Sequence, residues 1–304
     1  MIKIIRLLFL KSTIIEVVFR CIYWKLKIFK YINVKEFNHI NELNNFDKIL
    51  EKLKSIGVKN GSILIIHSSY DSLKNCSINP KEIINSLIDL IGEDGTLVMN
   101  SARVLKKDKS RNDILKYDVK KSRVWTGVLP HVMVNDKRSE ISEFPFNPIV
   151  AIGKHAKKIT THNFNNNVME SSCGPNSGWK FCSDNNAIVV GLGVNLTHSL
   201  TIMHVAEENH KNWPIDDWYD IIKVEIINNN TKNNVVIKNR KEKWGKLYFL
   251  EKNLEKDLKV NKILNEESID GLIFSNLNSK ELINFINRKN HDSTYPYLIP
   301  FFVK

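Results

Sequence analysis

The residues best suited to acid–base chemistry lie in the segment Thr201-Ile-Met-His204-Val-Ala-Glu207. On a helix, residues three positions apart share one face, so the Glu207 carboxylate can orient the His204 imidazole and stabilise its charged form. A histidine that titrates near neutral pH can accept the proton that an amine loses when it attacks a thioester. The segment therefore predicts a general base at His204 supported by Glu207. The spacing alone also fits a surface histidine beside a solvated glutamate.

The histidines and acids around this pair do not have the spacing of a metal site. His204 and His210 are six residues apart, which places them about 240° apart around a helix and on different faces. Neither the His-Glu-x-x-His nor the His-x-x-Glu-His zinc pattern is present, although Glu207 and Glu208 lie between the two histidines. We therefore predict no metal.

Serine hydroxyls and one arginine are candidate anion-binding groups. The run Ser62-Ile-Leu-Ile-Ile-His67 is typical of a buried strand, and it ends next to Ser68 and Ser69, which can offer hydroxyl and N–H groups to a phosphate or a thioester oxygen. Arg138, followed by Ser139, can bind a phosphate through two donors. Turn capping by the serines and an ordinary surface arginine are the alternatives. Gly191-Leu-Gly193 lacks the third glycine of a dinucleotide loop and indicates a tight turn.

Aromatic and acidic residues cluster after the predicted helix of His204. Trp213, Trp218 and Tyr219 are interleaved with Asp216 and Asp217. A binding site for a ring with polar substituents needs such a combination, so Trp213 and Asp217 are candidate contacts with the substrate that carries the amine. The same aromatics fit equally well in a core.

Strands and helices alternate along the chain, and they must position these groups. We predict a surface excursion at 103–123, where the sequence is polar and poor in pattern. The ordered elements are predicted as a helix at 45–56, a strand at 62–67, a helix from Asn79-Pro80 to Gly92, a strand at 96–100, a strand at 186–194, a helix capped by Thr197 or Ser199 and running to about Lys211, a hairpin from Asp220 across 228–234, a strand at 271–275 and a helix at 279–288. Two strands of one sheet that are joined by a helix imply a crossover connection. The residues that carry chemistry are then expected in the loops at the strand ends.

The charge of the chain is concentrated at its beginning. Of the formal net charge of +12 over 304 residues, residues 1–35 hold eight Lys or Arg against the single acid Glu16. Basic residues there alternate with apolar and aromatic ones, which predicts a basic amphipathic helical arm at 1–40 ahead of a domain at 41–304. The arm can lie on a membrane surface or pack on protein, including a second copy in a homodimer. No nucleic-acid motif is present, and four cysteines without a Cys-x-x-Cys pair fit the reducing cytoplasm.

Taken together and in order, short motifs of this chain resemble the aminoglycoside 3-N-acetyltransferase family over residues 45–290. The matching segments are His67-Ser-Ser69, Gly95-Thr-Leu-Val-Met99, Gly127-Val-Leu-Pro130, Arg138-Ser139, Ala151-Ile-Gly153, Ser172-Cys-Gly-Pro175 with Ser177, the strand at 189–194, and Thr201-x-x-His204-x-x-Glu207. The resemblance implies an α/β fold with a mixed sheet flanked by helices. It also implies direct transfer from acyl-CoA to an amine in a ternary complex, without a metal.

The resemblance also implies roles for individual residues. His204 would deprotonate the acceptor amine, and Glu207 would hold or polarise His204. Contacts with the pantetheine and phosphates of CoA would come from Ser68, Ser69, Ser101, Arg138 and Ser139. On the acceptor side we expect Thr201 and Ser177, together with Trp213 and Asp217.

The chain departs from the family pattern near the expected acceptor pocket. Asn100-Ser101 replaces the usual Pro-Thr, and Phe144-Pro145-Phe-Asn-Pro148 replaces a segment with a His and a Ser. An aminoglycoside is polycationic and suits a dense carboxylate surface, whereas this body is mildly basic. We therefore predict N-acylation of an amino sugar, a nucleotide-linked one for surface polysaccharide, by a cytoplasmic enzyme. An antibiotic-modifying aminoglycoside acetyltransferase and a non-catalytic, membrane-associated scaffold are the alternatives.

Overall fold

The computed structural model describes residues 45–73, 76, 78–108, 114–161, 169–247, 250–293, 295, 297 and 298, and also residues 15, 18 and 22. The predicted arm at 1–40 therefore lies outside the described residues except at those three positions, which are helical. None of the described helices is long and apolar enough to cross a membrane.

Helices and strands alternate through most of the described chain. The helices are α1 (Asp47–Ser55), α2 (Tyr70–Leu73), α3 (Pro80–Ile91), α4 (Val128–Val134), α5 (Ala156–Thr160), α6 (Gly178–Asp184), α7 (Leu196–Ser199), α8 (His204–Glu208), α9 (Glu242–Leu247), α10 (Glu251–Val260) and α11 (Ser279–His291). The strands are β1 (Ile63–Ser68), β2 (Thr96–Asn100), β3 (Lys106–Asp108), β4 (Ile114–Asp118), β5 (Glu140–Ile141), β6 (Ile149–Gly153), β7 (Ile188–Leu192), β8 (Tyr219–Asn228), β9 (Thr231–Arg240), β10 (Asn265–Ile269) and β11 (Leu272–Asn278).

A seven-stranded sheet forms the centre of the described structure, in the order β10-β11-β7-β1-β2-β6-β5. Strand β1 runs parallel to β2 and β7, whereas the remaining pairings in this sheet are antiparallel. Helix α3 connects the parallel neighbours β1 and β2. The mixed sheet flanked by helices confirms the predicted fold class.

Both faces of this sheet are buried. In β1, Leu64 and Ile66 face a core formed with α1, α3 and α4, whereas Ile63 and Ile65 face a second core formed with α6, α8 and α11. Burial on both faces explains why the central strands appear in the sequence as continuous apolar runs rather than alternating ones.

Local sequence signals define helix α3. Asn79 caps it, accepting hydrogen bonds from the N–H groups of Lys81 and Glu82, and the Glu82 side chain accepts from the Asn79 N–H in return. Pro80 occupies the first turn, where no N–H is needed. The predicted start of this helix is confirmed.

The predicted surface excursion at 103–123 is wrong, because part of it belongs to a second sheet with the order β3-β4-β8-β9. Tyr117 in β4 is fully buried, and its hydroxyl donates to the Ser142 carbonyl oxygen at 2.7 Å. Strand β4 pairs in parallel with β8, which lies far later in the chain. The predicted hairpin is confirmed as β8 and β9, with Asn229 at φ 51° in its turn.

The helix predicted from Thr197 or Ser199 to Lys211 is interrupted in the structure. Helix α7 is capped by Asn195, and Leu200 then leaves the helical conformation with φ −75° and ψ 72°. A 3₁₀ turn at Thr201–Met203 follows, and α8 begins at His204. The interruption changes the direction of the chain just before His204.

Gly153, at the end of β6, provides a test of the sheet geometry. It has φ +123°, and a Cβ atom there would lie 2.2 Å from the Gly95 carbonyl oxygen. Gly153→Ala is expected to lower the free energy of unfolding by about 3 kcal/mol or more, because backbone strain adds to a backbone clash. Gly57→Ala is the matched control, since Gly57 has φ +94° but no atom lies within 4 Å of the position that a Cβ would occupy; it should cost only about 1–2 kcal/mol. Equal losses in urea unfolding would contradict the clash.

Candidate active site

Two clefts meet at His204. The first has a volume of about 450 Å³ and the second of about 590 Å³. The first cleft reaches His67 and Ser68 at the end of β1, and the second reaches Arg103 and Glu208. The residues lining both clefts are Ala102, Trp125, Asn147, His204 and Arg240. A ligand in either cleft therefore has access to the His204 side chain.

His204 contacts a carboxylate and a guanidinium. Its Nδ1 lies 2.9 Å from Oε1 of Glu207, whose side chain is fully buried one helical turn further on. Nη1 of Arg240, at the end of β9, lies 3.1 Å from the same His204 nitrogen and 3.6 Å from Glu207 Oε1. The predicted contact of His204 with Glu207 is thus present, and Arg240 completes the group.

The buried carboxylate favours one tautomer of His204, the one with a proton on Nδ1. A neutral ring nitrogen either donates or accepts a hydrogen bond, so Nδ1 cannot both donate to Glu207 and accept from Arg240. In the structure Arg240 Nη1 is within hydrogen-bond distance of Nδ1, and neither Glu207 oxygen has a hydrogen-bond partner among the described residues. We propose that the working enzyme carries the proton on Nδ1, because a buried carboxylate is acceptor-only and needs donors, and the Nδ1–H group can donate to Glu207. Nε2 of His204 keeps its lone pair and is the nitrogen that can accept a proton.

Two effects keep His204 neutral. Burial lowers the pKa of His204 below its ordinary value, and the nearby Arg240 guanidinium lowers it further, against the opposing effect of Glu207. A base with a lowered pKa is already unprotonated at neutral pH.

Removal of the Arg240 charge should raise the pKa of His204. In Arg240→Gln, the repulsion between the guanidinium and the imidazolium is lost while Glu207 remains to stabilise the charged ring. The imidazole signals of His204 in an NMR pH titration measure this pKa directly. In the matched control Arg138→Gln, which removes an exposed arginine outside both clefts, the pKa of His204 should stay unchanged. A His204 titration that is the same in Arg240→Gln and wild type would contradict the assigned role of Arg240.

Asn100 connects β2 to the turn before His204. Its side-chain Nδ2 donates to Thr201 Oγ1 at 2.8 Å, and its Oδ1 accepts from the Ala102 N–H at 2.9 Å. The Thr126 hydroxyl donates to the Asn100 carbonyl oxygen at 2.8 Å. A residue that replaces the proline of the resembled pattern therefore holds the 3₁₀ turn in place.

Glu208 and His67 are buried titratable groups at the two clefts. Burial, with the neighbouring Glu207 charge, raises the pKa of Glu208 to about 7, while its Oε2 accepts from the Cys173 N–H at 2.6 Å. Burial lowers the pKa of His67 to about 4, so its ring is neutral, and its Nε2 has no hydrogen-bond partner among the described residues. His67 therefore places a neutral, buried ring nitrogen beside the first cleft.

Comparison with known proteins decides the family. The sequence model of the family described as aminoglycoside 3-N-acetyltransferase matches residues 65–289, more than half of the chain. This chain belongs to that family. A curated relative, the SPbeta prophage-derived aminoglycoside N(3')-acetyltransferase-like protein YokD of Bacillus subtilis (strain 168), is 28% identical over 176 residues, which are 52% of this chain and 63% of the relative.

Solved structures of acetyltransferases share the fold of this family member. AAC-IIIb in a binary complex with CoASH has a TM-score of 0.68 at 16% identity, covering 82% of this chain and 97% of that one. A mutant of aminoglycoside acetyltransferase AAC(3)-IVa in complex with a gentamicin has a TM-score of 0.65 at 19% identity over 83% and 90% of the two chains. Sisomicin-bound AAC-VIa has a TM-score of 0.68 at 12% identity over 83% and 98%.

The structure brings some of the family-implied residues together. Ser68 and Thr201 line the first cleft with His204. Ser69 follows Ser68 directly, and its N–H donates to the Leu192 carbonyl oxygen at 2.9 Å. The hydroxyl of Ser101 is buried and donates to the Pro148 carbonyl oxygen at 3.1 Å. Ser101 therefore supports the chain beside the first cleft rather than lining it.

The family-implied phosphate clamp at Arg138 lies away from both clefts. Arg138 is exposed after α4, where its Nη2 donates to Asp136 at 2.6 Å and to Asn85 at 2.8 Å. The Ser139 hydroxyl donates to the Met133 carbonyl oxygen. Neither residue lines a cleft around His204.

Three residues expected on the acceptor side are engaged elsewhere. Ser177 caps α6, where its Oγ accepts from the Lys180 N–H at 3.0 Å. Trp213 packs against Trp218 with ring centroids 5.0 Å apart, in an aromatic cluster that extends one of the main cores. Asp217 is exposed and forms ion pairs with Lys241 and Lys243. None of the three lines either cleft, because capping, core packing and surface pairing already use their side chains.

Sequence reasoning did not identify Arg240, Arg103 or Trp125, which line the clefts of this family member. Arg240 ends a strand rich in Lys and Asn, and nothing near it in sequence marks it as different from its neighbours. Only the hairpin β8–β9, folding back on α8, brings it to His204.

Proposed function

We propose that this chain is an acyl-CoA-dependent N-acyltransferase that acts on the amine of an amino sugar, with His204 as the general base. The contact between His204 and the buried Glu207, at the junction of two clefts, carries the proposal. A ternary complex requires such a junction, because the thioester and the amine must reach one proton acceptor from different sides.

The clefts suggest which substrate occupies each side. The first cleft carries Ser68 and His67 at the end of β1, and we assign it to the pantetheine arm of acyl-CoA. The second cleft carries the acidic residues Glu208 and Glu242, and we assign it to the acceptor. The exposed Trp125, which lines both clefts, can cover one face of a sugar ring at their junction.

The reaction follows from the tautomer of His204. The acceptor amine attacks the thioester carbon, and His204 Nε2 takes the proton that the nitrogen loses as the C–N bond forms. The buried Glu207 carboxylate stabilises the imidazolium through the Nδ1–H bond. Collapse of the intermediate breaks the C–S bond, and the proton on Nε2 passes to the departing CoA thiolate. The base is thereby restored, and no covalent enzyme intermediate is needed.

Family membership and the fold neighbours favour an aminoglycoside acceptor of the 3-N-acetyltransferase type. Solved structures of the same fold contain a gentamicin and sisomicin. The nucleotide-linked amino sugar and the polysaccharide role expected from sequence have no support in these comparisons. A second candidate, an amino sugar that carries an anionic group, is favoured by three cationic side chains in the second cleft, namely Arg103, Arg240 and Lys241.

CoA release tests the proposal. Purified protein is mixed with acetyl-CoA or a longer acyl-CoA and with gentamicin- or kanamycin-type aminoglycosides, glucosamine and nucleotide-linked amino sugars, and the products are identified by mass spectrometry. We expect an N-acyl product with at least one of these amines. CoA binding without acyl transfer to any of them would contradict the proposal and favour the non-catalytic scaffold. Membrane contact of the arm and formation of a homodimer stay predictions.

A further inference from the structure

Arg103 holds a buried guanidinium with an unused edge. The residue is only 6% exposed, and its backbone pairs with Val124 in an isolated β-bridge after β2. Nη1 of Arg103 donates to the Ser122 carbonyl oxygen at 2.8 Å. Among the described residues, Nε and Nη2 have no hydrogen-bond partner. Fixed by its backbone and by Ser122, the side chain carries two buried donors that no described residue accepts from.

These two donors form one edge of a planar group. Such an edge matches the two oxygens of a carboxylate or phosphate, and bidentate pairing of this kind is both strong and specific. Buried donors without acceptors are unfavourable, so the two unpaired donors of Arg103 need a reason. A ligand that supplies the missing oxygens satisfies both donors at once.

Arg103 lines the second cleft, where the charge of Asp118 acts on it, and the other two cationic groups of this cleft have carboxylates within 4 Å. Arg240 lies 3.6 Å from Glu207, and Lys241 pairs with Asp217 and lies 3.7 Å from Asp220. The two acids lining the cleft are Glu208, which accepts from the Cys173 N–H, and Glu242. Arg103 thus lines this cleft with two donor atoms that have no hydrogen-bond partner among the described residues.

We infer that the second cleft recognises an amino sugar that carries a carboxylate or a phosphate, bound by Nε and Nη2 of Arg103. Trp125 covers the sugar ring while the amine reaches His204. This assignment rests on the proposed function and narrows its acceptor class, since a polycationic aminoglycoside has no group for this edge.

A comparison of matched acceptors tests the inference. With acetyl-CoA fixed, kcat/KM is measured for glucosamine, glucosamine 6-phosphate, 2-amino-2-deoxyglucuronic acid and a kanamycin-type aminoglycoside. Two charge-assisted hydrogen bonds should favour the preferred anionic sugar over glucosamine by about 10- to 100-fold. Arg103→Gln should lower kcat/KM for the anionic sugars by about 10- to 100-fold more than kcat/KM for glucosamine, whereas Arg103→Lys should retain part of the preference. Arg288→Gln serves as the control, because Arg288 is exposed near the end of α11 and lines neither cleft.

Several results overturn the inference. Equal kcat/KM for glucosamine and both anionic sugars in the wild type does so, as does an equal loss for all acceptors in an Arg103→Gln protein that melts at the wild-type temperature. If Arg103→Gln does not fold, the wild-type comparison and calorimetric binding of the same sugars to the CoA-loaded protein decide instead. Anionic sugars that bind no more tightly than glucosamine then overturn it.

A phosphate group of CoA offers Arg103 the same oxygen acceptors as an anionic sugar does. The KM for acetyl-CoA and for 3′-dephospho-acetyl-CoA is therefore compared in the wild type and in Arg103→Gln. A rise in KM for acetyl-CoA alone assigns Arg103 to the cofactor and overturns the inference. Transfer to aminoglycosides without anionic preference overturns the inference but leaves the proposed function intact. If the protein binds anionic sugars selectively but transfers no acyl group to them, the inference about Arg103 stands and the proposed function is overturned.

Discussion

In His204→Ala, kcat for acyl transfer to an amine is expected to fall by about 10²- to 10⁴-fold, the range for loss of a positioned general base. Without the imidazole, the attacking amine loses its proton to solvent, and the departing thiolate has no adjacent acid. Binding of acetyl-CoA should change little, because the first cleft is formed mainly by other residues, at the ends of β1 and β2 and before His204. Thiol release measures kcat, and calorimetry measures the affinity for acetyl-CoA.

His291→Ala is the matched control for this substitution. His291 lies at the end of α11 with a side chain that is 90% exposed, and it lines neither cleft. Its kcat should equal that of the wild type. If His204→Ala kept most of its activity, or if it lost acetyl-CoA binding to the same extent as activity, His204 would not be the base.

Glu207→Gln is expected to reduce kcat by a similar factor, about 10²- to 10⁴-fold, by analogy with the carboxylate of a catalytic triad. The fully buried Glu207 carboxylate lies 2.9 Å from His204 Nδ1 and stabilises the charge of the imidazolium. A neutral amide removes that charge, and it can also donate to Nδ1 and leave the proton on Nε2. The nitrogen that faces the amine would then have no lone pair.

Nitrogen NMR of the His204 ring distinguishes this explanation from simple unfolding. We expect the Nδ1–H tautomer in the wild type and a changed tautomer or pKa in Glu207→Gln. Glu170→Gln is the control for loss of a buried carboxylate outside both clefts, because Glu170 is only 4% exposed and accepts from Asn176 instead. Wild-type kcat in Glu207→Gln, or an equal loss in Glu170→Gln, would contradict the role of Glu207.

The parts of the fold that local pattern specifies could be predicted from sequence. Strands β1 and β2 are continuous apolar runs, and Asn79-Pro80 marks the start of α3, so these elements were placed within a residue or two of their bounds. The second sheet was missed at β4, because Tyr117 is buried by contacts with strands and loops that are distant in sequence. Strand β10 was missed because its residues are polar and almost all exposed.

The residues of the candidate site also divide into those that local pattern predicts and those that only the fold brings together. The spacing of His204 and Glu207 predicted their contact correctly, although the helix around them is broken at Leu200. Trp213 and Asp217 are near that segment in sequence, but aromatic packing and two lysines hold their side chains elsewhere. The contribution of Arg240 depends on the position of the end of β9 beside His204, and no local pattern encodes that position.

Asn100 illustrates a departure whose meaning needed the structure. From sequence it was only a residue that differs from the resembled pattern. In the fold its side chain binds both Thr201 and the Ala102 N–H, and so links the central sheet to the turn that precedes His204. Asn100, which replaces the proline of the resembled pattern, thus helps to fix the turn that precedes the proposed base.

A crystal structure of the protein with bound CoA tests the central claim most directly. The claim predicts the pantetheine arm in the first cleft, beside Ser68, with the thiol sulfur at the junction and within about 5 Å of His204 Nε2. An amine beside His204 can then lie about 3–3.5 Å from the thioester carbon. The second cleft should stay open to the acceptor. A thiol that lies in the second cleft, or that ends remote from His204, would contradict both the assignment of the clefts and the role of His204 as the base.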